Sequence, residues 1–79
     1  MKLDPDKIDD AVLALLQLGL HEENRVWKGF DWEAMNRLYE KGLISDPVSK
    51  TKSVALSERG MAESTRLLEQ LFGMEKQEK

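Results

Sequence analysis

The stretch Gly42-Leu43-Ile44-Ser45-Asp46-Pro47-Val48-Ser49-Lys50-Thr51-Lys52-Ser53-Val54-Ala55-Leu56-Ser57 decides the fold of this chain. Leu43-Ile44-Ser45 and Ser53-Val54-Ala55-Leu56 read as two short strands, Asp46-Pro47 as the turn that leaves the first of them. Val48, Ser49, Lys50 and Thr51 fill the loop between them, with Lys52 at its far edge. The stretch is therefore a β-hairpin across residues 43–56. Helix signals stand at both of its ends: Gly42 fits the position just past a helix C-terminus, and Ser57 fits an N-cap.

Upstream of Gly42, Asp31 caps a helix over residues 31–41 with Trp32, Met35, Leu38 and Tyr39 on its apolar side. Downstream of Ser57, a helix over 57–72 carries Met61, Leu67, Leu68, Leu71 and Phe72, and Leu56 with Met61 has the spacing of a hydrophobic staple. The chain opens with a third helix near residues 4–20. Asp4 supplies its cap, Pro5 suits its first position, and Leu3 with Ile8 repeats the staple spacing. Ile8, Ala11, Val12, Leu15, Leu16 and Gly19 recur at helical intervals, and Leu13 and Leu20 widen the face enough to make this the central helix. Between the first two helices, Val26, Lys28 and Phe30 alternate against Trp27, which permits a short strand. The order is helix, short strand, helix, hairpin, helix. Ile8, Val12, Leu15, Leu38, Val54, Leu56 and Leu68 are the expected core.

The bulk numbers set limits. Seventy-nine residues make one domain, with residues 1–74 folded and residues 75–79 a charged tail. A chain this short buries only about 60% of the surface that its unfolded form exposes. Without cysteine or a metal cluster, stability must come from a well-packed core or from a partner chain. The lack of cysteine fits a reducing compartment. The longest apolar run, Ala11 to Leu16, follows four aspartates and falls well short of the roughly 20 residues that span a bilayer. A cytoplasmic protein with no membrane partner is the expectation.

Charge is uneven. Residues 1–24 carry a net −4, residues 53–79 a net −1, and residues 25–52, with six basic residues against four acids, a net +2. The middle is the only basic stretch.

Leu38-Tyr39-Glu40-Lys41-Gly42-Leu43-Ile44 resembles the end of the recognition helix and the first wing strand of bacterial winged-helix regulators. Val54-Ala55-Leu56-Ser57-Glu58-Arg59-Gly60 resembles their second wing strand and the cap of the following helix. The whole chain also resembles a small bacterial family of uncharacterised proteins. The resemblance implies a mainly α, winged-helix-like fold with a small β-hairpin. It departs from the pattern in one place: only ten residues separate Leu20 from Asp31, too few for the supporting helix of a full helix-turn-helix. The unit is a truncated helix-turn-helix with a strand-like connection.

That resemblance implies double-stranded DNA as a partner, and the residues that would meet it follow from the pattern. On the solvent face of the middle helix, Asn36 and Arg37 have the groups to read adenine and guanine edges, between Glu33 and Glu40, which repel phosphates. Lys50 and Lys52 at the hairpin tip suit phosphate contacts, with Lys28, Lys41 and Arg25 in support. The rival function is a protein-interaction module on the same scaffold without DNA contacts. Leu67, Leu71, Phe72 and Met74 form a wide apolar end to the last helix, which points to a homodimer.

Trp27, Phe30, Trp32 and Tyr39 fall close together and have two readings, a stacking surface for a ligand or unpaired bases, or core. In so small a chain core is the expectation, Trp27 being the residue that strand alternation turns away from its neighbours. Asp6, Asp9 and Asp10 are explained by the dipole of the first helix, and one histidine, His21, without cysteine does not make a zinc-ligand set, so no metal is expected. No nucleophile with a base, no glycine-rich phosphate loop and no room for a buried cleft are present in the pattern, so neither catalysis, a cofactor nor a small-molecule ligand is expected.

Overall fold

A computed structural model of the protein describes residues 1–48 and 50–74. Its elements are α1 (Pro5–Leu16), continued by a tighter turn over Gln17–Gly19, then β1 (Arg25–Trp27), α2 (Trp32–Glu40), β2 (Ser53–Ala55) and α3 (Glu58–Phe72). The fold is mainly helical with a small antiparallel sheet. Ser49 and the expected tail at 75–79 lie outside the described residues.

Local chemistry places each helix end. Asp4 accepts from the Asp6 amide, Asp31 from Ala34 and Ser57 from Gly60, so each N-terminus has one of its unpaired donors satisfied by a side chain. The α2 C-terminus closes in a Schellman motif: the Gly42 amide donates to the Tyr39 carbonyl (2.9 Å) and Leu43 to that of Leu38 (3.0 Å). Gly42 has φ +78° there, a conformation that a Cβ penalises. Gly42→Ala should cost about 1–2 kcal/mol, with Gly42→Asn milder, as read from urea midpoints. An alanine variant as stable as the parent would contradict that geometry.

The sheet differs from the expected hairpin in where its ladder lies. β2 pairs antiparallel with β1, in the register Arg25 to Ala55, Val26 to Val54 and Trp27 to Ser53. The 43–45 segment lies along the other edge of β2, joined by a single bridge between Ile44 and Leu56. Ser45 donates its amide to the Ala55 carbonyl (2.8 Å), but the Ala55 amide goes to the Ser45 hydroxyl (2.9 Å) rather than to a backbone carbonyl. Asp46 then turns the chain by accepting from the Val48 amide (2.9 Å), and the ladder ends after one rung. β2 is thus the middle of a three-segment arrangement.

The core joins all these parts. Val12, Leu13, Ala14 and Leu16 of α1 meet Ala34, Met35 and Leu38 of α2, Val26 and Val54 of the strands, Leu43, Ile44 and Leu56 around them, and Leu67 of α3. Ile8 and Leu68 pack partly buried against this group, and Leu15 is half-buried. Because α1 lies against both other helices, it is buried around most of its circumference. Leu3 stays largely exposed and lines one depression together with Pro5 and Ile8.

The expectation that the aromatic residues belong to the core is overturned. Trp27, Phe30, Trp32 and Tyr39 are all exposed. The reason is volume: aliphatic residues and Met35 fill the space between three short helices and a narrow sheet, and the rings take the rim.

Candidate functional site

The outward surface of α2 shows why helix pattern alone misplaces its cations. Glu33, Asn36 and Glu40 face solvent, as do Trp32 and Tyr39. Arg37 turns back to α1, where its Nε donates to both Asp9 oxygens (3.0 and 2.9 Å) and its Nη2 reaches Oδ1 at 2.8 Å. Lys41 joins the same carboxylate from one helical turn further on, 2.9 Å from Oδ2, and approaches Asp6 at 3.3 Å. Asp9 is 1% exposed. Burial alone pushes its carboxyl up, but the hydrogen bonds and charges of Arg37 and Lys41 outweigh that and hold it below the usual carboxylate value. The Asp9 bond raises Arg37, and although burial opposes it in Lys41, the bonds to Asp9 and Asp6 raise that lysine too.

Asp9 therefore needs a different account from the helix dipole. It sits beyond the first turn of α1, where the dipole has faded, and it anchors α2 instead. Of the residues expected to meet DNA on α2, Asn36 alone points freely outward, and Glu33 and Glu40 flank it one turn away on either side.

The other expected contacts gather at the far end of the sheet. The Lys28 amide donates to the Lys52 carbonyl (3.1 Å), and the Lys28 ammonium donates to the Pro47 carbonyl (2.7 Å), tying the loop to β1. Lys50 and Lys52 are exposed. Along β1 the side chains alternate, so Val26 is buried while Arg25 and Trp27 share the outer face. Arg25 lies across the strand pair, donating from Nε to the Ser53 hydroxyl (3.0 Å) and from Nη2 to its carbonyl (3.1 Å). Trp27 is 54% exposed and stacks on His21, with centroids 4.0 Å apart and planes 14° apart. His21 Nδ1 lies 3.0 Å from the Gly19 carbonyl, which accepts its proton and fixes the ring. This pairing was invisible in the sequence, where His21 carried no signal beyond its proximity to Glu22 and Glu23.

The apolar end of α3 divides in two. Leu67 is buried in the protein's own core and does not serve as an outward contact, whereas Leu71, Phe72 and Met74 are 45%, 52% and 89% exposed.

Open depressions are lined by Glu22, Glu23, Asn24 and Arg25, and by Leu3, Pro5, Ile8, Asp31, Glu33 and Arg37. Among the described residues, no group of three or more His, Cys, Asp or Glu is placed to hold a metal ion, and no helix is long and apolar enough to cross a membrane.

Comparison with known proteins gives a family. The sequence profile of a domain of unknown function (DUF6429) matches residues 4–74. A relative described as uncharacterized protein y4hR, from Sinorhizobium fredii (strain NBRC 101917 / NGR234), is 57% identical over 72 residues, which is 91% of this chain and 97% of that protein. No solved structure matches the chain. Both the span of the profile and the identity to that relative place the chain in one family: it belongs to the DUF6429 domains.

Proposed function

We propose that the protein is a non-catalytic protein-interaction module on a winged-helix-like scaffold, and that its first partner is a second copy of itself. The scaffold reading is supported by element order: helix, strand, helix, a returning β2 whose two edges take β1 and residues 43–45, then the last helix. The self-association reading is carried by the end of α3, where Leu71, Phe72 and Met74 stand exposed next to the buried Leu67. Neighbouring exposed apolar side chains of this kind mark contact sites, and a twofold contact is the commonest way to cover them. Small size adds to the gain, since a short chain leaves more apolar surface uncovered.

Sedimentation equilibrium over a concentration series tests this. The mass should rise from monomer to dimer, and Leu71→Glu should keep the helical circular dichroism while holding the protein at monomer mass. A monomer at the highest concentration reached would overturn self-association.

Duplex DNA binding is the second reading, supported by the exposed Lys50 and Lys52 beside the loop. It places the contact at the loop rather than on α2, whose Arg37 and Lys41 are engaged by Asp9. Binding of that kind is to phosphate, indifferent to sequence and steeply weakened by salt.

A further inference from the structure

We propose that the solvent face of α2 docks a basic helix of a partner protein, with Trp32 and Tyr39 receiving the flat faces of its arginines and Glu33 and Glu40 pairing with their charge. The proposal rests on the interaction-module reading but not on self-association, whose residues stand on α3. It starts from where the rings lie. The chain has five Phe, Trp and Tyr residues, and all five, Trp27, Phe30, Trp32, Tyr39 and Phe72, are exposed. Two of them stand on α2 itself, Trp32 at 56% and Tyr39 at 42% exposure. Tryptophan and tyrosine offer a large contact area with little side-chain freedom to lose, and they are enriched where proteins meet.

Helical spacing lines these groups up. Trp32 and Tyr39 are seven residues apart, as are Glu33 and Glu40, so each pair falls nearly in line along the helix with members about 10 Å apart. Each aromatic therefore has a carboxylate on the neighbouring stripe, and exposed Asn36 lies between the two stripes. Ala34, Met35 and Leu38 take the buried side, which leaves this face outward. Its charge is set by where the cations of the segment go. Arg37 and Lys41 turn to Asp9, and Lys41 also reaches Asp6. Glu33 and Glu40 close no ion pair among the described residues. Asp31 adds a third carboxylate at the start of α2, where it accepts from the Ala34 amide. The face is acidic and aromatic together.

That combination selects the partner. A guanidinium is planar, stacks on an aromatic ring and still offers N–H donors at its edge to a carboxylate, so one arginine satisfies both members of an aromatic–acid pair. Two such pairs, two turns apart, match a helix with arginines at i and i+7, because helices lying side by side share the same rise per residue. Nucleic acid or an anionic membrane would bring phosphates against Glu33 and Glu40. A purely apolar helix would strip water from both carboxylates without pairing them.

A labelled, alanine-rich helical peptide with arginine at two positions seven apart, titrated at low salt and read by fluorescence anisotropy, tests the proposal. Trp32→Ala should weaken its binding about tenfold, and Trp32→Phe should restore part of that. Glu33→Gln with Glu40→Gln should weaken it about tenfold as well and flatten its dependence on salt. Lysine in place of the peptide's arginines should bind several-fold less tightly. Leu71→Glu, which leaves α2 intact, should bind the peptide as the parent does, so this result and the oligomer mass are separate readings. A parent protein that does not bind the arginine peptide would overturn the proposal. So would an affinity unchanged by Trp32→Ala and by the paired glutamine replacements in proteins that keep their circular dichroism. Loss of binding in Leu71→Glu would move the peptide to the end of α3. Quenching of Trp32 emission by mixed duplex DNA, in a Trp27→Phe protein, would overturn the proposal in favour of nucleic acid.

Discussion

Replacing Gly60 with alanine is expected to remove a large share of the protein's stability. Gly60 is buried in the first turn of α3, and a Cβ built on it would overlap the carbonyl group of Leu43. The obstacle is backbone, so no side-chain rotation relieves it. The first turn of α3 would have to withdraw from residues 42–43. That withdrawal breaks the bond from the Ser57 amide to the Leu43 carbonyl (3.0 Å) and that from the Ser57 hydroxyl to the Gly42 carbonyl (2.8 Å). It also opens the core beside Leu43, Leu56 and Met61. Alanine's better helix propensity returns only about 1 kcal/mol. The net loss should be about 4 kcal/mol or more, against a total of roughly 4–12 kcal/mol for a domain this size. Thermal and urea melts read it directly, with Gly29→Ala as the control because nothing lies within 4 Å of a Cβ at that position. A Gly60→Ala protein that melts with the parent would mean that α3 does not approach Leu43 this closely.

Gly60 also shows what a single sequence conveys. It stood in the Ser57-Glu58-Arg59-Gly60 run that resembles the start of a winged-helix terminal helix, but nothing local said that the glycine serves a contact with a residue 17 positions earlier. Features decided within one helical turn were legible: the caps at Asp4, Asp31 and Ser57, and the positive φ at Gly42. Their signals are short-range hydrogen bonds and sterics, which sequence spacing encodes directly. Features decided by pairing between distant segments were not. The sequence pairs residues 43–45 with 53–56, whereas the longer ladder of β2 runs along residues 25–27 and the 43–45 edge keeps one bridge, with the Ala55 amide bonded to the Ser45 hydroxyl. Arg37 has the helical phase of a solvent-facing residue, but its long side chain reaches a carboxylate 28 positions away. The aromatic rim escaped for a related reason, since hydrophobicity predicts burial only where the core has volume left to give.

Arg37→Met is expected to destabilise the protein strongly, because it leaves the Asp9 carboxylate buried with Lys41 as its remaining charged partner. Asp9→Asn should cost less, about 1.5–3 kcal/mol, since Arg37 and Lys41 are partly exposed and regain water. The double replacement Asp9→Leu with Arg37→Met removes the stranded charge and should recover much of the loss, so the two effects are strongly non-additive in urea melts. An Arg37→Met protein that melts with the parent would reduce the contact to an ordinary surface ion pair. Acidity provides an independent check. The folded Asp9 pKa lies below its ordinary 3.8, so its contribution is complete above that value and is lost as pH falls through the folded pKa. Lys41 is raised above its ordinary 10.5, so its contribution is complete below that value and is lost only as pH rises past the folded pKa. Between these limits the cluster holds α2 on α1 at full strength. The stability gap between the parent and Asp9→Asn should therefore be constant near neutrality, begin to narrow below about pH 4, and close as pH falls through the lowered folded pKa, where the parent's carboxylate takes up the proton that the amide already mimics.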